Sequence, residues 1–219
     1  MTPPALQSIA EKPISAPLSA NASPRPSREE AMEAVRTLLA WTGDDPRREG
    51  LLDTPRRVVD AYRDWFKGYD ADPAQILART FEDMSGYSDM VVLRDIEVNS
   101  HCEHHIAPFI GRAWVAYMPG ERVVGISKIV KLVDAFARRL QSQEALTAQI
   151  ADAMETHLAP RGVAIMMDAE HMCMTTRGVA QRGVGTLTSH YSGVFQTDAA
   201  LQERFSRLAS EGLARSVGR

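Results

Sequence analysis

Apolar residues along this chain recur first at helical spacing and later in strand-like runs, and this change divides the chain into successive elements. Near the start, Ser27 and Glu30 stand at the spacing of a capping box, which marks a helix N-terminus. The helix that it predicts ends at Gly43, because glycine commonly follows the last helical turn. Its apolar face recurs at helical spacing and consists of Met32, Val35 and Leu39.

A second helix is predicted by the segment DTPRRVVDAYRDWFKG. We place Thr54 as its N-cap and Pro55 at its first helical position. Proline lacks an amide hydrogen, and at this position an amide would have no acceptor within the helix. Gly68 then closes the helix. Together the two helices predict an N-terminal helical region over residues 28–87.

From residue 88 the pattern changes to strands. The segments DMVVLRDIEVNS and GRAWVAYMPG are rich in β-branched and aromatic residues and predict two consecutive strands. A helix follows with Ser127 as its expected N-cap. Its predicted apolar stripe is Ile129, Leu132, Val133, Phe136 and Leu140.

The next segment, EALTAQIADAMETHL, predicts another helix, which Pro160 and Gly162 end. The segments VAIMMDAEH and VGTLTSHYSGVF then predict two more strands, and DAALQERFSRLAS predicts a closing helix. The apolar face of the helix in EALTAQIADAMETHL consists of Leu146, Ile150, Met154 and Leu158.

The order from residue 88 is therefore β-β-α-α-β-β. Two adjacent helices between two strand pairs favour an α+β fold, with a four-stranded antiparallel sheet and both helices on one of its faces. We expect this domain to occupy residues 88–219.

Composition and charge exclude several classes of protein. Hydrophobic residues make up 44% of the 219 residues and the formal net charge is -3, so the chain is globular without a general attraction for nucleic acid. Its apolar runs are too short to cross a bilayer. Residues 1–27 are rich in Pro, Ser and Ala, predict a flexible tail and lack the pattern of a secretory signal. The cytoplasm is the expected location.

The two cysteines of the chain lie in segments with histidines and glutamates, NSHCEHHIAP and AEHMCMTTRG. Cys102 and His105 are spaced to bind one ion from a single loop, and Cys173 offers a distant third ligand. Two thiolates and an imidazole suit zinc, and a set of three leaves one coordination position for a catalytic water. The alternatives are two inert buried thiols, or a structural zinc with a fourth protein ligand.

Two further histidines are candidates for proton transfer, since the pKa of a histidine lies near neutral pH. His104 should point away from its neighbour His105. His171 should lie on a strand and project to the same face as Cys173. Either histidine could instead hold a metal ligand in place.

The segment GISKIVK places Lys128 and Lys131 in the first turn of a helix, where the helix dipole disfavours cations. A bound phosphate would resolve this conflict, although two solvated lysines are an equally acceptable explanation. Arg57 and Arg177 could add contacts to phosphate. The carboxylate of Glu144 could accept two parallel hydrogen bonds from a guanine, although a glutamate at a helix start needs no ligand.

Four motifs in this order, CEHH, GISKIVK, QSQEALTAQIADA and AEHMCMTTRGV, resemble the GTP cyclohydrolase I family from about residue 28 to 210. The resemblance implies a T-fold, whose β-β-α-α-β-β order matches the pattern above. It implies zinc-dependent conversion of GTP to 7,8-dihydroneopterin 3'-triphosphate and formate, the first step of tetrahydrofolate and pterin biosynthesis. It also implies a homodecamer of two pentamers, with active sites at subunit interfaces.

The resemblance also implies roles for individual residues. Cys102, His105 and Cys173 match the zinc ligands of the family, and His104 and His171 match its two proton-transferring histidines. In the implied reaction a zinc-activated water attacks C8 of the guanine while a histidine protonates N7. The ring then opens, formate leaves, and the ribose rearranges before a new ring closes.

The substrate contacts are implied in the same way. Glu144 and Gln143 match residues that hold the guanine, and Lys128 matches a triphosphate contact. Ser127 matches a residue near the ribose that moves protons during the rearrangement. Arg177 matches a phosphate-binding arginine, Arg57 matches an arginine from a neighbouring subunit, and Lys131 replaces the arginine that is usual in the family.

Two rival functions remain open. A 7-cyano-7-deazaguanine reductase of the same fold would use NADPH and a free, activated thiol, and the chain has no dinucleotide-binding fingerprint. A nucleotide-binding module with a structural zinc would need a fourth protein ligand, such as His104 or Glu103.

Overall fold

The computed structural model describes residues 25–82 and 87–216 of the 219-residue chain. Most of the predicted tail therefore lies outside the described residues. None of the described helices combines the length and apolar content needed to cross a membrane. The division into a helical region and a domain beginning at residue 88 stays a prediction.

In the described residues, three α-helices come first and four strands follow, and helices then alternate with strands up to two closing helices. The α-helices are α1 (Arg28–Trp41), α2 (Thr54–Trp65), α3 (Pro73–Leu77), α4 (Ile126–Ala137), α5 (Gln143–Leu158), α6 (Met172–Thr175), α7 (Val194–Thr197) and α8 (Ala199–Ser216). The strands are β1 (Thr80–Phe81), β2 (Val91–Cys102), β3 (Pro108–Met118), β4 (Val123–Val124), β5 (Leu140–Gln141), β6 (Gly162–His171) and β7 (Gly185–Tyr191).

The main sheet has the strand order β5-β2-β3-β6-β7. The four long strands, β2, β3, β6 and β7, pair antiparallel. In sequence order, α4 and α5 come between β3 and β6, which confirms the α+β class and the β-β-α-α-β-β order of the T-fold. The expectation of four strands was incomplete, because β5 adds a fifth that pairs in parallel with the end of β2. A separate pair, β1 with β4, forms a two-stranded sheet.

The fifth strand exists because α4 ends earlier than its apolar stripe predicted. Leu140 belongs to β5 and not to the helix, which stops at Ala137. The buried side chain of Gln141 donates a hydrogen bond to the carbonyl of Phe136 at 3.0 Å, and the Arg139 guanidinium lies 4.6 Å from the Phe136 ring centre. These contacts fold the chain back toward the sheet at this point.

Each face of the sheet carries its own apolar core. One core lies between the sheet and the helices α4 and α5, where the predicted stripes of both helices, apart from Leu140, are buried. The other lies under α7 and α8 and surrounds the fully buried Trp114. The sheet is thus fixed from both sides, which gives its strand ends defined positions.

Two predicted helix caps were wrong by one or two positions. Asp53 precedes α2 and Thr54 is already helical, so Pro55 comes second in the helix. Gly125 is the N-cap of α4, and Ser127 lies inside the first turn, because β4 runs directly into the helix at Gly125. The capping box of Ser27 at the start of α1 is confirmed.

The helical region is joined to the end of α4 through Gly68, which lies in a short 3₁₀ helix after the end of α2. Its amide donates to the carbonyl of Arg138 at 3.1 Å, and its carbonyl accepts from Arg139 Nε at 3.0 Å. A side chain at this position would overlap the backbone carbonyl of Ala135. Only glycine permits this approach.

Candidate metal centre and active site

A tight turn between β2 and β3 places Cys102 and His105 together. The Cys102 amide donates to the carbonyl of Ala107 at 2.8 Å, and the Ile106 amide donates to the carbonyl of Cys102 at 2.8 Å. Ile106 adopts a left-handed backbone with φ of 54°, which reverses the chain. The Glu103 amide donates to the carbonyl of Gln141 at 3.0 Å, so β5 supports the turn.

The end of β6 lies beside this turn because of the register of the sheet. His171, the last residue of β6, is paired with Phe109 on β3, close to where the turn ends. The prediction that His171 and Cys173 share one strand face is wrong, since Cys173 lies in α6. The Thr175 hydroxyl donates to the carbonyl of His171 at 3.2 Å, and this bond closes the helical turn that ends the strand.

The ligand atoms of Cys102, His105 and Cys173 all lie within 4.8 Å of one another, as the sequence predicted for a metal site. The three side chains differ in exposure, since Cys102 is buried, Cys173 half-buried and His105 exposed. Within residues 25–82 and 87–216 this is the one group of three or more His, Cys, Asp or Glu side chains with such spacing. The group could hold a metal ion with one side open to solvent.

The donor set fits zinc chemically, because thiolates and imidazoles are the ligands that zinc prefers. Burial raises the pKa of the Cys173 thiol above its ordinary value, and the neighbouring Cys102 raises it further. Without a cation, the Cys173 thiol therefore resists ionisation. A divalent cation would reverse this effect, since metal binding deprotonates coordinating thiols.

His104 lies closer to the metal-binding group than expected. Its Nδ1 lies 3.6 Å from Cys102 Sγ, and the Nδ1 of His105 lies 3.8 Å from the same sulfur. The expectation that His104 points away from its neighbour is therefore wrong, because the tight turn brings both rings to one side. The His104 side chain is 67% exposed, so it remains accessible to a substrate.

Arg177 lies at the same group. Its guanidinium is 2.7 Å from His105 Nε2. Since arginine is only a donor, this nitrogen of His105 accepts the hydrogen bond. Arg177 thus places a permanent positive charge at the exposed side of the candidate metal centre.

Glu170 was missed by the sequence analysis and holds the loop that follows Cys173 and carries Arg177. Its Oε1 accepts from the Thr175 hydroxyl and from the Gly183 amide, each at 3.1 Å. The two donors lie on either side of Arg177 in the chain. A glutamate at a strand end has no sequence signal that distinguishes this role from a solvated charge.

His171 is fixed on two sides. Its ring is stacked on the buried Phe109 with centroids 4.6 Å apart and planes 10° apart, and its Nε2 lies 2.9 Å from Gln143 Oε1. Burial lowers the pKa of His171, and the nearby Glu144 carboxylate acts in the opposite direction. The proximity of Glu144 places the start of α5 beside this histidine.

Gln143 and Glu144 open α5 after its N-cap, Ser142, but they have different surroundings. Gln143 is 1% exposed and its amide is hydrogen-bonded within the protein, whereas Glu144 is exposed. Glu144 is therefore free to meet a ligand. The expected contact between Gln143 and guanine stays a prediction.

The remaining candidate residues are not linked to the metal-binding group by hydrogen bonds or ion pairs between described residues. Ser127 and Lys131 are exposed in α4, and Lys128 is half-buried there. Arg57 lies on α2, where it is paired with Asp53 at 3.4 Å.

His101 is a buried residue on β2, and its ring lies about 5 Å from those of Trp65 and Phe66. The end of α2 is thereby packed against the strand that carries Cys102. This contact gives the histidine a structural position next to the site.

Comparisons with known proteins agree on one family. A family model described as GTP cyclohydrolase I matches residues 31–210. The GTP cyclohydrolase 1 of Hyphomonas neptunium is 59% identical over 187 residues, which cover 85% of this chain and 91% of that protein. The GTP cyclohydrolase 1 of Maricaulis maris is 58% identical over 196 residues, covering 90% and 96% respectively. That of Sinorhizobium fredii is 55% identical over 192 residues, covering 88% and 94%.

Proposed function

The chain belongs to the GTP cyclohydrolase I family, and on this premise we propose how its residues convert GTP to 7,8-dihydroneopterin 3'-triphosphate and formate. The observation that carries the proposal is the convergence of Cys102, His105 and Cys173 within 4.8 Å. This reaction is the first step of tetrahydrofolate and pterin biosynthesis.

Zinc is the metal that we propose for this group, with Cys102, His105 and Cys173 as its protein ligands. When bound, the ion would supply Lewis-acid polarisation and a water whose pKa falls to about 7, which is the nucleophile that opening of the guanine ring requires. The exposed side of the group, at His105, leaves room for substrate. Three ligands from the protein distinguish this arrangement from a closed structural site.

Proton transfer is assigned to His104 and His171, which flank the metal-binding group. His104 is exposed beside Cys102 and is suited to protonate N7 of the guanine as the ring opens. His171 is held rigidly and is suited to move protons during the rearrangement of the ribose. Ser127 is the second residue proposed for that later step.

Recognition of GTP is assigned to the exposed charges around the site. The Glu144 carboxylate can accept two parallel hydrogen bonds from N1–H and the exocyclic amine of guanine. Arg177 lies at the metal-binding group and can contact the phosphates. Lys128, Lys131 and Arg57 are the further phosphate contacts that the family resemblance implies.

We propose that the protein forms a homodecamer of two pentamers, with active sites at subunit interfaces. Arg57 would then reach the active site of a neighbouring subunit, and Lys128 and Lys131 would approach the same triphosphate. Sedimentation of the purified protein tests this assembly. The proposed partners are GTP and copies of the same chain, without nucleic acid or membrane, and the proposed location is the cytoplasm.

The reductase alternative requires a free thiol, and both thiols of this chain lie in the metal-binding group. Incubation with a deazaguanine nitrile and NADPH would test it directly. Consumption of NADPH would favour the reductase over the cyclohydrolase.

The decisive experiment for the proposed function incubates the purified protein with GTP and measures formate and pterin fluorescence, with and without a chelator. We expect both products, and we expect their loss when the metal is removed. Turnover that persists in the chelator would contradict the role of the metal.

A pair of variants separates catalysis from metal binding. His104→Ala should retain its metal but lose at least about a hundredfold in kcat, as loss of a general acid predicts. His157→Ala removes an exposed histidine at the end of α5 and is the matched control, which should retain wild-type activity. Undiminished turnover in His104→Ala would remove this residue from the mechanism.

A further inference from the structure

We propose that Gln143 is a positioning residue that fixes the tautomer and orientation of His171. The proton-transfer task of His171 rests on the proposed function, whereas the orientation itself follows from hydrogen bonds within the chain. Gln143 would then act through His171 instead of reading the guanine directly.

The orientation of the Gln143 amide is determined by its surroundings. Its Nε2 donates to the carbonyl of Met167 at 3.0 Å and to the carbonyl of Thr186 at 2.7 Å. Carbonyl oxygens only accept hydrogen bonds, so a reversed amide would place its own oxygen against two acceptors. Oε1 must therefore face His171.

A chain of hydroxyl groups agrees with this orientation. The Thr147 hydroxyl donates to the carbonyl of Gln143 at 2.8 Å and lies 2.8 Å from the Thr188 hydroxyl. Since Thr147 has used its one hydrogen, Thr188 must donate to Thr147. Thr188 Oγ1 then presents a lone pair to Gln143 Nε2, 3.1 Å away, and shares one of the two amide hydrogens with a carbonyl.

The consequence is a defined tautomer of His171. Because Gln143 Oε1 is an acceptor, the His171 Nε2 at 2.9 Å must carry a hydrogen. The neutral ring therefore presents Nδ1 as its free basic nitrogen. The stacked Phe109 ring opposes rotation about the side chain and keeps this nitrogen in one direction.

This arrangement defines a reversible proton transfer. Nδ1 takes a proton from a substrate carbon or oxygen and the ring becomes an imidazolium, while Nε2–H remains bonded to Gln143. The same nitrogen then returns the proton to the substrate. Gln143 neither gains nor loses a proton in this cycle.

A direct role in guanine recognition would need free hydrogen-bonding groups on Gln143. Its amide hydrogens are already directed at oxygen atoms of β6 and β7, and the side chain is 1% exposed. Breaking these bonds to reach a ligand would leave buried carbonyls without donors, which is costly. The two roles predict different kinetics, because recognition acts on KM and positioning acts on kcat.

The test compares Gln143→Leu with Gln141→Leu in the metal-loaded enzyme. Gln141 is the matched control, since it is 3% exposed and its amide also bonds within the protein, to Phe136 and Gln149. Nitrogen NMR of histidine-labelled protein reads the tautomer of His171, and steady-state kinetics with GTP gives kcat and KM.

In the wild type we expect the Nε2–H tautomer. Gln143→Leu should show a mixture of tautomers and a kcat about 10–100-fold lower, as for other partners that orient active-site histidines, with KM changed less than about threefold. Gln141→Leu should keep the wild-type His171 tautomer and the wild-type kcat, even if its midpoint of thermal unfolding is lower.

Two results would overturn the proposal. The first is an Nδ1–H tautomer in the wild type, a measurement that does not depend on whether Gln143→Leu folds. The second is a higher KM with unchanged kcat in Gln143→Leu, which would identify a guanine contact. An Nε2–H tautomer in a protein that forms no pterin would instead contradict the proposed function and leave the positioning intact.

Discussion

Replacement of Glu170 by alanine should weaken metal binding without touching a proposed ligand. Glu170 Oε1 accepts from the Thr175 hydroxyl and the Gly183 amide, each at 3.1 Å. These bonds join the two ends of the loop that follows Cys173. Without them, we expect the loop to sample positions in which the Cys173 sulfur is too far from Cys102 and His105 to share an ion.

The magnitude follows from the two lost bonds. Hydrogen bonds to a charged acceptor contribute about 1.5–3 kcal/mol each. Because the carboxylate of Glu170 is only half-buried, each bond should contribute near the lower end of this range. Part of the lost free energy destabilises the loop itself and does not appear in the metal affinity. We therefore expect about 1.4–2.8 kcal/mol in metal affinity, which is about 10–100-fold.

The assay is a competition between the metal-free enzyme and a chromogenic zinc chelator. Glu170→Gln should give an intermediate affinity, because its amide oxygen still accepts hydrogen bonds without the charge. Glu155→Ala removes an exposed glutamate of α5 and is the control, with an affinity equal to that of the wild type. The reasoning is refuted if Glu170→Ala binds zinc within about twofold of the wild type, or if Glu155→Ala shows the same loss.

Two further changes test other parts of the account. Gly68→Ala should lower the free energy of unfolding by about 2–4 kcal/mol, since the added carbon overlaps the Ala135 carbonyl and the Gly68 amide and carbonyl each lose a hydrogen bond. A chemical denaturation curve within about 0.5 kcal/mol of the wild type would contradict it. Lys131→Arg should lower KM for GTP by about 3–10-fold with kcat unchanged, because a guanidinium binds phosphate through two parallel bonds. Steady-state kinetics with an unaltered KM would show that this side chain does not contact the triphosphate.

Much of the fold was predictable because its signals are local. The capping box at Ser27 and the apolar faces of α4 and α5 depend on residues within a few turns of one another, and the structure confirms them apart from Leu140. The caps at Thr54 and Ser127 were misplaced because neighbouring positions compete for the same role. At the start of α4, the N-cap is Gly125 because β4 ends directly before this residue.

The candidate site was predictable in its residue types and less so in its geometry. Cys102-x-x-His105 is a local pattern, and Cys173 could be added because the chain has one other cysteine. The short helix that carries Cys173 was not foreseen, since four residues give too weak a signal. The roles of Phe109 and Glu170 depend on strand register and loop closure, which link residues that are distant in the chain.

The central claim is that Cys102, His105 and Cys173 bind one zinc ion and leave a coordination position for solvent. X-ray absorption spectroscopy of the metal-loaded enzyme tests it most directly by counting the atoms around the ion. The account predicts two sulfur neighbours with two nitrogen or oxygen neighbours, and one sulfur fewer in Cys173→Ala. A spectrum with fewer than two sulfurs, or one that Cys173→Ala leaves unchanged, would contradict it.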